Sequence, residues 1–89
     1  MYFAYVLENS NGLLYKGHTS DLEKRLLEHN ADDGFDSYTK RRGPWKEVHS
    51  EAFRTRKEAK AREMFFKTGK GRDYLKEILI GGRMSHVGQ

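Results

Sequence analysis

Residues Leu14 to Asn30, LYKGHTSDLEKRLLEHN, compress a strand end, a turn and a capped helix into one short stretch, and the rest of the chain must pack around that unit. Tyr15 ends a β-prone run, and Gly17 permits the backbone to turn. Ser20 and Glu23 have the S-x-x-E spacing of a capping box, so a helix is expected to start there. At about 100° per residue, Leu22, Arg25, Leu26 and His29 fall within an arc of roughly 100°. A guanidinium and an imidazole therefore share the face of the core leucines, where each needs a partner to offset its desolvation.

Upstream, Tyr2 to Glu8 is the most apolar β-prone run of the chain and reads as a central strand. Asn11-Gly12 follows as a hairpin signal, and Leu13 to Gly17 returns as the partner strand. With a period of two, Phe3, Tyr5 and Leu7 share one face, and Leu13, Tyr15 and Gly17 share another, so Tyr5 and Tyr15 can face each other. Tyr5 suits a packed core aromatic as well as a site residue. Lys16 and His18 point away from Tyr15 if the strand persists, while a turn at Gly17 would re-aim His18.

Downstream, Ala31 to Gly43 is a long polar loop whose Phe35 and Tyr38 suit either stacking on bases or tethering to the core. Trp45 to Phe53 reads as a third strand, and Glu47 and Glu51 give it the mixed polarity of a sheet edge. Thr55 and Glu58 form a second capping box, opening a helix to about Lys67. On it Ala59, Glu63 and Phe66 lie within roughly 60° of arc, so the Glu63 carboxylate emerges among apolar neighbours. An inward-facing acid needs a metal, an arginine or a proton; a salt bridge to Arg25 is the structural reading, and it does not exclude a metal, since one site can hold both. Thr68 to Arg72, TGKGR, is expected to break the helix before a last amphipathic one, Asp73 to Ile80. It lacks the P-loop pattern G-x-x-x-x-G-K-[ST] and no strand precedes it, which argues against nucleotide binding of that kind. A single domain over residues 1–80 with a tail over 81–89 is the expected organisation. The four histidines lack the spacing of a zinc site.

Charge divides the chain. Residues 1–39 hold three Lys and Arg against seven Asp and Glu, a net of −4; residues 40–89 hold fourteen against six, a net of +8, which together give the +4 of the 89-residue chain. The basic half concentrates from Lys40 to Lys46 and again between Arg54 and Lys76, and from these runs stand out Lys40, Arg41, Arg42, Lys46, Lys67, Lys70 and Arg72. These seven are the candidate nucleic-acid-binding residues, against the alternative of a solvated helix surface. No run approaches the ~20 apolar residues of a membrane span, and the start MYFAYVLEN lacks the basic and apolar regions of a signal peptide. A cytoplasmic protein with no membrane partner is expected. The absence of cysteine excludes disulfides and thiolate metal sites.

Phe3-Ala4-Tyr5, then Tyr15-Lys16-Gly17, then Arg25 and His29, then Glu63, in this order and spacing, resemble the GIY-YIG nuclease family, and most of all its small stand-alone members. The resemblance spans about three quarters of the chain. Ala4 and Lys16 depart from the usual middle residues of the two triplets, and no asparagine follows Glu63, where some members have one. The resemblance implies an α/β (α+β) fold, a three-stranded antiparallel sheet flanked by helices in the order β-β-α-β-α-α. It also implies a catalytic set of Tyr5, Tyr15, Arg25, His29 and Glu63. Glu63 would ligate one divalent cation, Mg²⁺ or Mn²⁺. Arg25 would grip the scissile phosphate, and its planar fork suits that role because it donates two hydrogen bonds and stays charged. Tyr15 would orient or deprotonate the attacking water, with His29 and Tyr5 in support. As a base, Tyr15 would need its phenol lowered by about three units from ~10. As an orienter it would not.

Two function classes follow. One is a metal-dependent endonuclease acting on phosphodiester bonds in DNA, with RNA and branched structures open as substrates. The other is a nucleic-acid-binding or adaptor module that keeps the fold without turnover.

Overall fold

The computed structural model describes residues 1–31 and 42–87, with backbone alone over 80–87. Phe35, Tyr38, Lys40 and Arg41 lie outside the described residues. Six elements follow one another: β1 (Tyr2–Asn9), β2 (Leu14–Thr19), α1 (Leu22–Asn30), β3 (Trp45–Phe53), α2 (Arg56–Phe66) and α3 (Gly69–Val87). The strands form one antiparallel sheet in the order β2-β1-β3. The fold is the expected one, with β1 central and β3 at an edge.

The run Ala4-Tyr5-Val6-Leu7 is apolar without alternation because helices cover both faces of β1, and all four residues are at most 1% exposed. Ala4 and Val6 pack against Phe66 of α2 and Leu75 of α3. Tyr5 and Leu7 pack on the other side with Trp45, Tyr15, and Leu22 and Leu26 of α1. Full burial of Phe66 or Leu75 contributes about 1.5–3 kcal/mol each. Thus α1 lies on one face of the sheet, while α2 and α3 lie on the other.

The hairpin turns where Asn11-Gly12 places it. Gly12 has φ of +83°, and Asn9, 6% exposed, accepts from the backbone N–H groups of Asn11 and Leu13 at 3.0 and 2.9 Å. The same side chain donates to the Arg42 carbonyl at 2.9 Å. Asn30 closes the other long connection by accepting from the Trp45 N–H at 2.6 Å and donating to its carbonyl at 3.0 Å.

Three local expectations are corrected. Gly17 does not turn the chain: it lies within β2, opposite Tyr5 in register. Because β2 continues to Thr19, the helix cap moves one residue on, from Ser20 to Asp21, whose carboxylate accepts from Lys24 N–H at 3.1 Å. An acid there also complements the positive end of the helix dipole. Finally, Gly69 to Arg72 is the first turn of α3 rather than a break, and the helix runs on to Val87. Thr68 caps it, its hydroxyl accepting from Gly71 N–H at 3.0 Å. A Cβ at Gly71 would run into the Phe65 carbonyl, so glycine here permits the start of α3 to rest on the end of α2. The Thr55–Glu58 box forms as its spacing predicts.

Candidate active site and nucleic-acid interface

On the α1 face, β1 and β2 bring Tyr5 and Tyr15 to His29. The Tyr5 ring lies across Gly17, where a Cβ would stand 2.6 Å from its hydroxyl. That hydroxyl shares a 2.8 Å hydrogen bond with His29 Nε2. His29 is 1% exposed, so the bond supplies the partner that the buried imidazole requires. The Tyr15 ring centroid is 4.6 Å from that of His29 and 6.2 Å from that of Tyr5, with Trp45 at 6.4 Å. Tyr5 and His29 are sealed and Tyr15 is half-buried, so Tyr15 is the member of this trio that reaches the surface.

Arg25 sits one turn before His29, on the same helix face as Leu22 and Leu26, as the periodicity requires. Its side chain is 29% exposed, and its Nε donates to Glu28 Oε1 at 2.9 Å. The salt bridge to Glu63 considered from sequence does not form. Glu63 lies on the opposite side of the sheet, 14% exposed, and takes two other partners: His18 Nδ1 at 2.6 Å and Lys67 Nζ at 2.7 Å. Burial alone would raise the Glu63 carboxyl, but the hydrogen bonds and charges of His18 and Lys67 bring it below its ordinary value.

His18 was not among the residues expected at the site. Alternation along β2 sends Tyr15 and Gly17 to the α1 face and Lys16 and His18 to the α2 face. The two polar groups therefore share only β2, an edge strand, with Tyr15 leaving one side and His18 with Glu63 the other.

Comparison with known proteins bears on the family and the fold. A family model described as the GIY-YIG catalytic domain matches residues 1–75. The chain belongs to the GIY-YIG family. Similar relatives are UPF0213 proteins: one from Bacillus pumilus is 40% identical over 96% of this chain and 89% of its own, and one from Streptococcus agalactiae is 46% identical over 73% of each. The solution NMR structure of a UPF0213 protein from Bacillus halodurans has a TM-score of 0.52 and 31% identity, covering 88% of this chain and 85% of that one. The domain is of a nuclease type, which implies a nucleic-acid substrate in general terms, and the relatives' names add no specific activity.

Among the described residues of this GIY-YIG domain no three His, Cys, Asp or Glu side chains gather as a metal cage, and Glu63, the acid that the resemblance assigns to a cation, would offer it one carboxylate. That donor set fits Mg²⁺, which keeps several waters and takes one or two carboxylates together with substrate phosphates. Lys67, whose side chain is 50% exposed, holds one Glu63 oxygen at 2.7 Å.

The basic residues fall in two places. Arg42 and Lys46 are exposed near the start of β3, the former with its carbonyl bound by Asn9. Lys67, Lys70 and Arg72 are exposed around the junction of α2 and α3, where Arg72 Nη1 donates to the Lys67 carbonyl at 3.0 Å. No described helix is long and apolar enough to cross a membrane.

Proposed function

We propose that this chain is a divalent-metal-dependent endonuclease that hydrolyses phosphodiester bonds in DNA. The observation that carries the reading is the placement of Tyr15 and the His18–Glu63 pair on the two sides of edge strand β2, with Tyr15 and His18 three residues apart along it. A phosphodiester lying along that edge meets a phenol from one side and a carboxylate from the other. Arg25, on the tyrosine side, clamps the scissile phosphate and offsets the negative charge that develops on its oxygens. Tyr15 orients the attacking water or takes its proton, while His29 and Tyr5 fix the phenol from behind. Glu63 would hold the cation, which when bound supplies charge relief to the phosphoryl oxygens and the leaving group. Lys67, Lys70, Arg72, Arg42 and Lys46, with Lys40 and Arg41, carry the flanking backbone. The cell interior is the proposed place of action.

A specific observation favours the second reading, a binding or adaptor module: both Glu63 oxygens already have donors, from His18 and Lys67. Cleavage of plasmid and branched DNA with Mg²⁺, Mn²⁺ or chelator separates the two. Metal-dependent nicking that Glu63→Gln abolishes, with DNA binding kept, is the expected result. Shifted but intact DNA under every condition would overturn the enzyme and leave the module.

A further inference from the structure

Lys16, the middle residue of the second triplet, has no part in the roles above. In β2 it stands on the α2 face between Leu14 and His18. There it lines a cleft of about 300 Å³ between the hairpin and α3, with Arg72 and Lys76 on the same rim and Leu14, Leu75 and Leu79 below. The Arg72 guanidinium donates from Nη1 to the Lys67 carbonyl at 3.0 Å. Burial lowers the pKa of Lys16, and the charges of Arg72 and Lys67 lower it further. Cations are crowded here over an apolar floor. The one acid lining the cleft, Glu8, pairs in register with Leu14 at the hairpin end.

Two properties of the cleft call for one ligand. Like charges held together raise the free energy of the unbound state, and an anion relieves it. A phosphate alone would leave the leucine floor against water, whereas a nucleotide covers it with the face of its base. In a duplex the bases are stacked and paired, so only an unpaired one can enter a cleft of this kind.

Resting on the nuclease reading above, we propose that this cleft holds one unpaired nucleotide of the nucleic-acid substrate, its phosphate on Lys16 and Arg72 and its base on Leu14 and Leu79. The site makes an overhang or branch beside the cleaved bond part of what is recognised.

Fluorescence anisotropy in chelator, so that no DNA is cut, tests this with three probes: a short blunt duplex, the same duplex with a thymidine tail, and the same with an abasic tail of equal length. The tailed duplex should bind wild type about three- to tenfold more tightly than the blunt one, and the abasic tail should retain only part of that gain. Lys16→Gln and Leu79→Asn should each bring the ratio of tailed to blunt Kd toward one. That ratio is insensitive to a general loss of affinity, and thermal unfolding checks that each variant is folded. Equal Kd for all three probes, or a ratio unchanged in both variants, overturns the cleft site while the nuclease reading stands. If wild type binds none of the probes at low salt, the nucleic-acid reading fails and the cleft site falls with it.

Discussion

His18 Nδ1 and Glu63 Oε1 lie 2.6 Å apart across 45 positions of the sequence, tying edge strand β2 to α2 through two half-buried polar groups. An imidazole held this way fixes the direction of the carboxylate's remaining lone pairs. Partners that orient a metal ligand are typically worth ~10–100-fold in metal affinity or activity. His18→Ala should therefore weaken Mn²⁺ binding, followed by calorimetry, and slow cleavage by about that factor, with His18→Asn recovering part of it by donating from its amide. Metal affinity and rate both unchanged in His18→Ala would make the pair a structural tie alone.

Gly17 offers a test of how the tyrosines are held. A methyl group there would meet the Tyr5 hydroxyl at 2.6 Å and Cζ at 2.7 Å, and the ring is 1% exposed and bonded to His29. Overpacking of this kind costs ~1–3 kcal/mol, against ~0.5–1 kcal/mol gained from the smaller freedom of alanine in the unfolded chain. Gly17→Ala should be destabilised by about 1–2 kcal/mol in urea unfolding. Adding Tyr5→Phe removes the hydroxyl but not Cζ, so it should restore only part of the loss. A Gly17→Ala protein as stable as wild type would mean that the Tyr5 ring lies elsewhere.

Much of this arrangement follows from local pattern. The leucine face of α1 carries Arg25 and His29 as the 3.6-residue period requires, and the alternation of β2 separates Tyr15 from His18 as a period of two requires. Other features depend on what lies far away in sequence. Ser20 and Asp21 are both competent caps, and only the extension of β2 to Thr19 selects Asp21. Gly71 looks like a helix breaker until the Phe65 carbonyl supplies a reason for a residue without Cβ, whereas a Cβ at Gly69 would meet open space. Arg25 and Glu63 each point inward, which invites pairing them. Periodicity tells which face of a helix is apolar but not which side of the sheet it covers, and α1 and α2 cover opposite sides. The same blindness hides the His18–Glu63 bond.

Glu51 gives the fold a measurable dependence on pH. Its carboxylate accepts from Arg62 Nε at 2.8 Å, bonds His49 Nε2 at 2.8 Å and lies 3.5 Å from the Tyr74 hydroxyl, so it joins β3, α2 and α3. Burial alone would raise its pKa, yet the hydrogen bonds from His49 and Arg62 hold it below the ordinary value. A group whose folded pKa lies below its unfolded one stabilises above the unfolded value, ~4.3, and loses that contribution as pH falls through the folded pKa. At neutral pH, Glu51→Gln should cost ~1–3 kcal/mol, the scale of a hydrogen bond to a charged group. Melting curves from about pH 7 to about pH 3 should bring the two proteins together at the acid end. A constant gap in Tm across that range would show that the Glu51 charge contributes nothing to stability.

Arg25 separates catalysis from stability most sharply. Its ion pair with Glu28 spans three residues of a helix surface, with the side chains 29% and 35% exposed, and pairs of that kind are worth ~0–1 kcal/mol. Because the Arg25 side chain is also partly buried, Arg25→Ala should lower stability by no more than about 1–2 kcal/mol. Its effect on cleavage should be far larger. A donor aimed at charge that develops only in the transition state is worth ~10²–10³ in rate, so kcat should fall by at least that much while DNA affinity in chelator changes little. Arg25→Lys keeps the charge but not the planar fork and should recover only a small part. A variant that unfolds readily yet, when folded, cleaves at the wild-type rate would assign Arg25 to packing and remove it from the site.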